Sequence, residues 1–199
     1  TISGGLPMAF IRNLLALIGL LVVVGIGFGY HKYWPALSQF DKGSLEVYGA
    51  FAEKLLESGD PGVAMMWRVP VQEGISAEDV VEALKSQATQ RNFLFVGESP
   101  FSQQVKAVTG EDYRYINFLS FCDARVGKAL IEYQDSYTGF MPCRIAVVEG
   151  KDGSLALYSM NLDLMIHGGR ELPPELKEQA IRVRGVIRAI MIAAAAGEF

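Results

Sequence analysis

Residues 14–30, LLALIGLLVVVGIGFGY, carry no charge anywhere along their length. With residues 7–10 in front, the apolar stretch approaches the roughly 20 residues a helix needs to cross bilayer hydrocarbon. Arg12 and Asn13 interrupt it only near one end, where a long side chain can snorkel to the headgroups. Tyr30, His31, Lys32, Tyr33 and Trp34 follow, the aromatic and basic mixture found where a helix leaves lipid. A cleaved signal peptide would show a small-x-small site after the apolar core, and GFGYHKYWP offers none. A buried core helix is rarely apolar on every face. The stretch predicts a retained single-pass transmembrane helix within an N-terminal segment, 1–34.

Gly25 and Gly29 stand four apart, on one face of such a helix. That spacing lets two membrane helices approach closely, so integral membrane subunits are the expected partners, alongside the lipid bilayer itself. Flanking charges nearly balance, with Arg12 on one side and Lys32 and Lys42 on the other. The short leading segment and an uncleaved export-type anchor favour a bacterial inner-membrane protein with its C-terminal domain in the periplasm.

Roughly 160 residues follow the anchor, enough for one domain with a real core. Net charge is −4 with Lys and Arg scattered, which gives nucleic acid no surface to bind. The two cysteines are too few for a disulfide scaffold, and neither lies in a CxxC or CxxCH, which argues against covalent c-type haem.

Residues 35–42 read as a connector. Leu45, Tyr48, Phe51, Ala52 and Leu55 then recur at helical spacing, and Gly59, Asp60 and Pro61 stop that helix. Residues 63–71 are rich in strand formers. Ser76 with Asp79 forms an N-cap for a helix reaching about Gln90. A short strand over 93–97, a short helix over 99–109, a strand over 113–121 and a helix over 123–133 come next. Strands over 144–149 and 154–160 flank Gly150, Lys151, Asp152 and Gly153, where an Asp-Gly pair between apolar runs marks a hairpin. Pro173 and Pro174 open a last helix over 175–196. Interleaved helices and antiparallel-compatible strands predict an α+β domain, one sheet covered by helices, in a chain organised as 1–34, 35–61 and 62–199.

The stretch INFLSFCDARVGKALIEYQDSYTGFMPCRIAVVEGKDGSLALYSMNLDLM resembles the core of the bacterial family called domain of unknown function 302. Its pattern of strand, Cys-Asx, helix, Pro-Cys, strand, Gly-containing hairpin and strand is matched here. The matching residues are Cys122-Asp123, Ala129-Leu130, Pro142-Cys143, 144–149, 150–153 and 155–160. Residues 79–90 with Asn92-Phe93 resemble the family's first helix and its following Gly-Phe pair, Asn92 replacing the glycine. The resemblance implies a compact α+β domain over about 63–192 and brings no settled activity with it.

Cys122 stands where a strand becomes a helix, so a thiolate there would meet the positive end of the helix dipole, lowering its pKa. The strand–helix–strand unit returns Cys143 toward the same sheet edge. The pair reads as two small buried hydrophobes, as a disulfide closing a loop of about 20 residues worth about 3 kcal/mol, or as thiolate ligands of copper or haem. Met141, two residues from Cys143, and His167, in a Gly-rich loop, are further ligand candidates. Met65, Met66, Met160 and Met165 read as core filler. No nucleophile elbow, phosphate loop, HExxH or dinucleotide fingerprint is present. The expected function is an accessory subunit without catalysis of its own, in a membrane assembly of the electron-transfer kind. The alternative is a membrane-tethered redox, haem or metal-binding protein.

Overall fold

The computed structural model describes residues 8–199. The expected tail over 1–7 lies outside the described residues. Contacts divide the chain after Phe40 into two units. The first holds one helix, α1 (Met8–Leu37), which continues through Pro35 and has no buried residue. Its most apolar window has a mean hydropathy of 2.4, long and apolar enough to cross a membrane.

The second unit starts at Asp41 and takes in helix α2 (Ser44–Ser58), which the sequence reading grouped with the connector. α2 ends on Gly59 at φ +66, a left-handed cap that a side chain would strain. A short helix α3 (Pro61–Met65) then precedes strand β1 (Met66–Pro70). The expected strand over 63–71 is thus helical in its first part. Asp60 accepts the Gly62 N–H at 2.7 Å and Pro61 presets the backbone of the first turn, so the Asp-Pro pair begins a helix as well as ending one.

Helix α4 (Ala77–Gln90) begins at the expected cap, with the Ser76 hydroxyl accepting the Asp79 N–H at 3.1 Å. Asn92 ends it at φ +57, the left-handed conformation asparagine tolerates better than most side chains. Strand β2 (Leu94–Ser99), helix α5 (Phe101–Thr109), strand β3 (Ile116–Cys122) and helix α6 (Ala124–Tyr133) follow. A 3-10 turn over Asp135–Phe140 leads to strand β4 (Cys143–Glu149), strand β5 (Leu155–Met160), the short helix α7 (Asp163–His167) and helix α8 (Pro174–Ala195). In the β4–β5 hairpin Gly153 sits at φ +81, and Gly150 N–H donates to Ser154 O at 2.7 Å.

The sheet is antiparallel throughout, in the order β1-β5-β4-β3-β2. Side chains alternate across a strand, and the register sorts them into two faces. Leu119 lies opposite Ile145, Val147 opposite Leu157, and Ser159 opposite Trp67. Trp67, Leu119, Ile145, Val147 and Leu157 join one core with Val80 and Leu84 of α4, Val126 and Leu130 of α6, and Ala180, Ile187 and Ile190 of α8. The reverse face carries the row Phe118, Ala146, Tyr158 and Arg68, where Arg68 Nε donates to the Tyr158 hydroxyl at 3.1 Å. α5 lies toward one end of that face, setting Phe101 5.6 Å from Phe118.

Leu119 is fully buried at the centre of this core. Leu119→Ala is expected to lower unfolding stability by about 2–5 kcal/mol, through lost burial and the cavity left behind. Denaturant midpoints of the full chain in detergent check this against wild type.

Candidate functional site

β3 ends at Cys122, and Asp123 caps the helix that follows. The Asp123 carboxylate accepts the Arg125 and Val126 N–H groups at 3.0 and 3.2 Å, while Arg182 of α8 donates to its other oxygen at 2.5 Å. After α6 and the 3-10 turn, the chain passes through Met141 and Pro142 into β4, whose first residue, Cys143, lies opposite Phe121. The loop between the two cysteines therefore returns to the strand it left, and both sulfurs reach one pocket.

Cys122, Met141, Cys143 and Met165 line that pocket with Leu130 and Leu162, in a space of about 30 Å³. Gly127 of α6 makes the room. A methyl group there would stand 3.4 Å from Met141 Sδ and 3.7 Å from Cys122 Sγ, so the two sulfurs converge on one point. Both cysteines are free thiols. Burial pushes the Cys122 thiol up, and the neighbouring Asp123 charge pushes it further. Burial raises Cys143 to about 11, with Cys122 adding to the effect.

The expectation of a Cys122 thiolate favoured by the helix dipole is thus corrected. Asp123 takes the first free amides of α6 for its own carboxylate, and sets a negative charge beside the sulfur. Met165 joins the pocket, although the sequence reading took it as filler. It arrives from α7, and nothing near it in sequence marks that approach.

His167 does not join the sulfurs. It is the last residue of α7, and its Nδ1 lies 3.1 Å from Asp41 Oδ1. Asp41, only 2% exposed at its side chain, also accepts the Gly43 N–H at 2.8 Å and is ion-paired to Lys177 of α8. Lys177 reaches Glu171 as well, at 2.8 Å. This node ties the first residues of the folded unit to α7 and α8. On its α2 side lies a cleft of about 250 Å³, lined by Glu46, Lys54, Asp163, His167 and Arg184. Sequence reasoning missed Asp41 and Lys177 because 135 positions separate them, and each reads alone as a surface charge.

A third polar centre lies between α4, α5 and β3. Asn117, 3% exposed, donates to Glu98 Oε1 at 2.7 Å, and Lys85 of α4 pairs with Glu98 at 3.1 Å. The Asn117 hydrogen bond, more than the lysine, holds the Glu98 carboxyl below its usual range. Gly25 and Gly29 are placed within α1, with open space where their side chains would be. Among the described residues, no group of three or more His, Cys, Asp or Glu side chains is arranged to hold a metal ion.

A five-stranded antiparallel sheet with its long helices on one face, and a paired-cysteine pocket where β3 meets α6, defines a small α+β domain. The model of the family described as domain of unknown function DUF302 matches residues 67–194, and the chain belongs to that family. A crystal structure described as an uncharacterized conserved protein DUF302 from Bacillus stearothermophilus is similar, with 18% identity and a TM-score of 0.53. The match covers 64% of this chain and 95% of that one, and shows a shared fold. No curated protein matches.

Two outcomes follow from this geometry. With its pKa near 11, Cys143 holds about one part in a thousand as thiolate at pH 8. Iodoacetamide should alkylate it on the order of a hundredfold more slowly than a free thiol; mass spectrometry of timed samples measures this. Burial alone would raise the Asp41 carboxyl, but Lys177, the Gly43 N–H and His167 outweigh it and hold the carboxyl at about 2 instead of 3.8. The unfolded chain therefore binds this proton more tightly. The stabilisation is complete above pH 3.8 and is lost as pH falls toward 2. Asp41→Asn should remove that part of the acid dependence and lower stability at neutral pH, as denaturation at stepped pH reads out.

Proposed function

We propose that this chain is a single-pass membrane-anchored accessory subunit, without catalysis of its own, whose α+β domain covers or stabilises a partner at the membrane surface. The observation that carries this reading is α1. Leu15, Leu20, Val23, Ile26 and Phe28 are each 60% exposed or more, and no residue of the helix is buried. Apolar surface on that scale is unfavourable in water and favourable in lipid, and the length matches a bilayer crossing. Gly25 and Gly29 are its proposed packing face toward integral membrane subunits. An electron-transfer assembly of the respiratory or photosynthetic kind is the proposed host. The bacterial inner membrane, with the domain in the periplasm, is the proposed location.

A second reading is favoured by the convergence of Cys122, Met141 and Cys143: a membrane-tethered protein using these sulfurs for metal or redox chemistry. Haem does not fit it. A pocket of about 30 Å³ is about tenfold smaller than the 300 Å³ at which organic-ligand sites begin.

Purification from native membranes in mild detergent tests the first reading. The chain is expected to stay in the membrane fraction after carbonate washing, and to migrate within a larger assembly. Gly25→Leu with Gly29→Leu should release it from that assembly while leaving it membrane-bound. Migration of wild type as a lone monomer, or its recovery in the carbonate supernatant, would overturn the reading.

A further inference from the structure

Four sulfur-bearing side chains of two chemical kinds line one small apolar space. Cys122 arrives at the end of β3, Cys143 at the start of β4, Met141 from the turn between them, and Met165 from α7. Gly127 supplies the vacancy on the buried side of α6: Met141 Sδ and Cys122 Sγ both lie within 3.7 Å of where its side chain would begin. The remaining wall is largely apolar, with Phe121, Val126, Leu130 and Leu162. Asp123 borders the pocket, but its oxygens are occupied by two backbone N–H groups and Arg182. His167, the sole histidine after the anchor, is held by Asp41.

This donor set is selective. Thiolates and thioethers together suit soft copper(I), whereas zinc, which thiolates also bind, takes three or four cysteine or histidine ligands or an added carboxylate, and magnesium takes oxygen. Among the described residues no such harder cluster exists. A space of about 30 Å³ takes one water or one ion. We propose that Cys122, Cys143, Met141 and Met165 form a binding site for a single copper(I) ion. The inference deepens the second reading above by naming the ion and adding Met165 to the ligands, and it is independent of the membrane reading.

The site binds copper already in the cuprous state, so no electron is exchanged on binding. Copper–sulfur bonds form, and each thiol that ligates gives up its proton to solvent.

The test is anaerobic titration of the full chain in detergent with copper(I), using bicinchoninate as the competing chelator. One equivalent is expected to be retained, with an X-ray absorption signature showing sulfur neighbours only. Zinc(II) added in excess should not displace it. Met141→Leu and Met165→Leu keep the apolar volume and should each weaken retention by at least about tenfold, no less than losing a group that supports a ligand. Cys122→Ser with Cys143→Ser should abolish it. Copper bound with nitrogen in its first shell, or retained undiminished in the double serine variant, would overturn the proposal. Full retention in both leucine variants would remove the thioether ligands, and the four-sulfur site with them, while leaving a thiol site standing. No retention of copper, with Cys122 and Cys143 joining as a disulfide under mild oxidation, would overturn the copper site but keep the redox form of the second reading. Neither copper binding nor a disulfide would sink both. The wild-type absorption spectrum decides the matter even where a variant fails to fold.

Discussion

The alternation of side chains along β3 and β4 governs most of what this domain can do. Leu119 and Phe121 on one strand, and Cys143, Ile145 and Val147 on the other, all turn toward the helices. A shift of one residue would exchange this set for Phe118, Ser120, Arg144 and Ala146, placing a guanidinium in the core. The register is therefore held by the cost of burying a charge as well as by apolar contact. Cys143 inherits its environment from the same constraint. It lies on the inner face because Ile145 and Val147 must, and its raised pKa follows from that placement.

Asp123 is the second element on which several features converge. Its carboxylate closes the first turn of α6 and receives Arg182, which joins α6 to α8 across the top of the core. These hydrogen bonds favour the charged form strongly enough to hold the carboxyl below its ordinary range against the cost of burial. The price falls on Cys122, one residue away, whose thiolate must form beside an existing negative charge. Helix capping and thiol activation compete for the same amides, and capping wins.

The parts of this architecture that were legible in the sequence are those set by local chemistry. Ser76 with Asp79, the Asp152-Gly153 turn and the Asn92 that stands for a glycine after the first helix each act within a few residues, and the structure places them accordingly. Asp60-Pro61 was legible only in part, because the same pair that stops one helix opens another. The long-range features were not legible. Asp41 meets His167 and Lys177 only once α2, α7 and α8 are assembled, and Met165 reaches the cysteines through the same assembly. The short helix α7 has little periodicity to betray it, so the sequence showed a Gly-rich loop where the structure has a turn of helix. Of the sulfur site, Cys122, Cys143 and Met141 were visible as neighbours in a single strand–helix–strand unit; the fourth sulfur and the glycine that makes room were not.

The two longest helices show why the chain divides as it does. α8 carries Leu176, Ala180, Val183, Ile187 and Ile190 at helical spacing, all buried, with Arg182, Arg184 and Arg188 set between them. It needs a sheet on one side and water on the other, and it has both. α1 is apolar around its whole circumference from Leu14 to Gly29, so no single partner surface within a small domain can cover it. Such a helix is long and apolar enough to cross a membrane, a medium that is apolar on all sides. The proposal that α1 spans a membrane rests on this contrast, and it is independent of whether the sulfur pocket ever receives an ion.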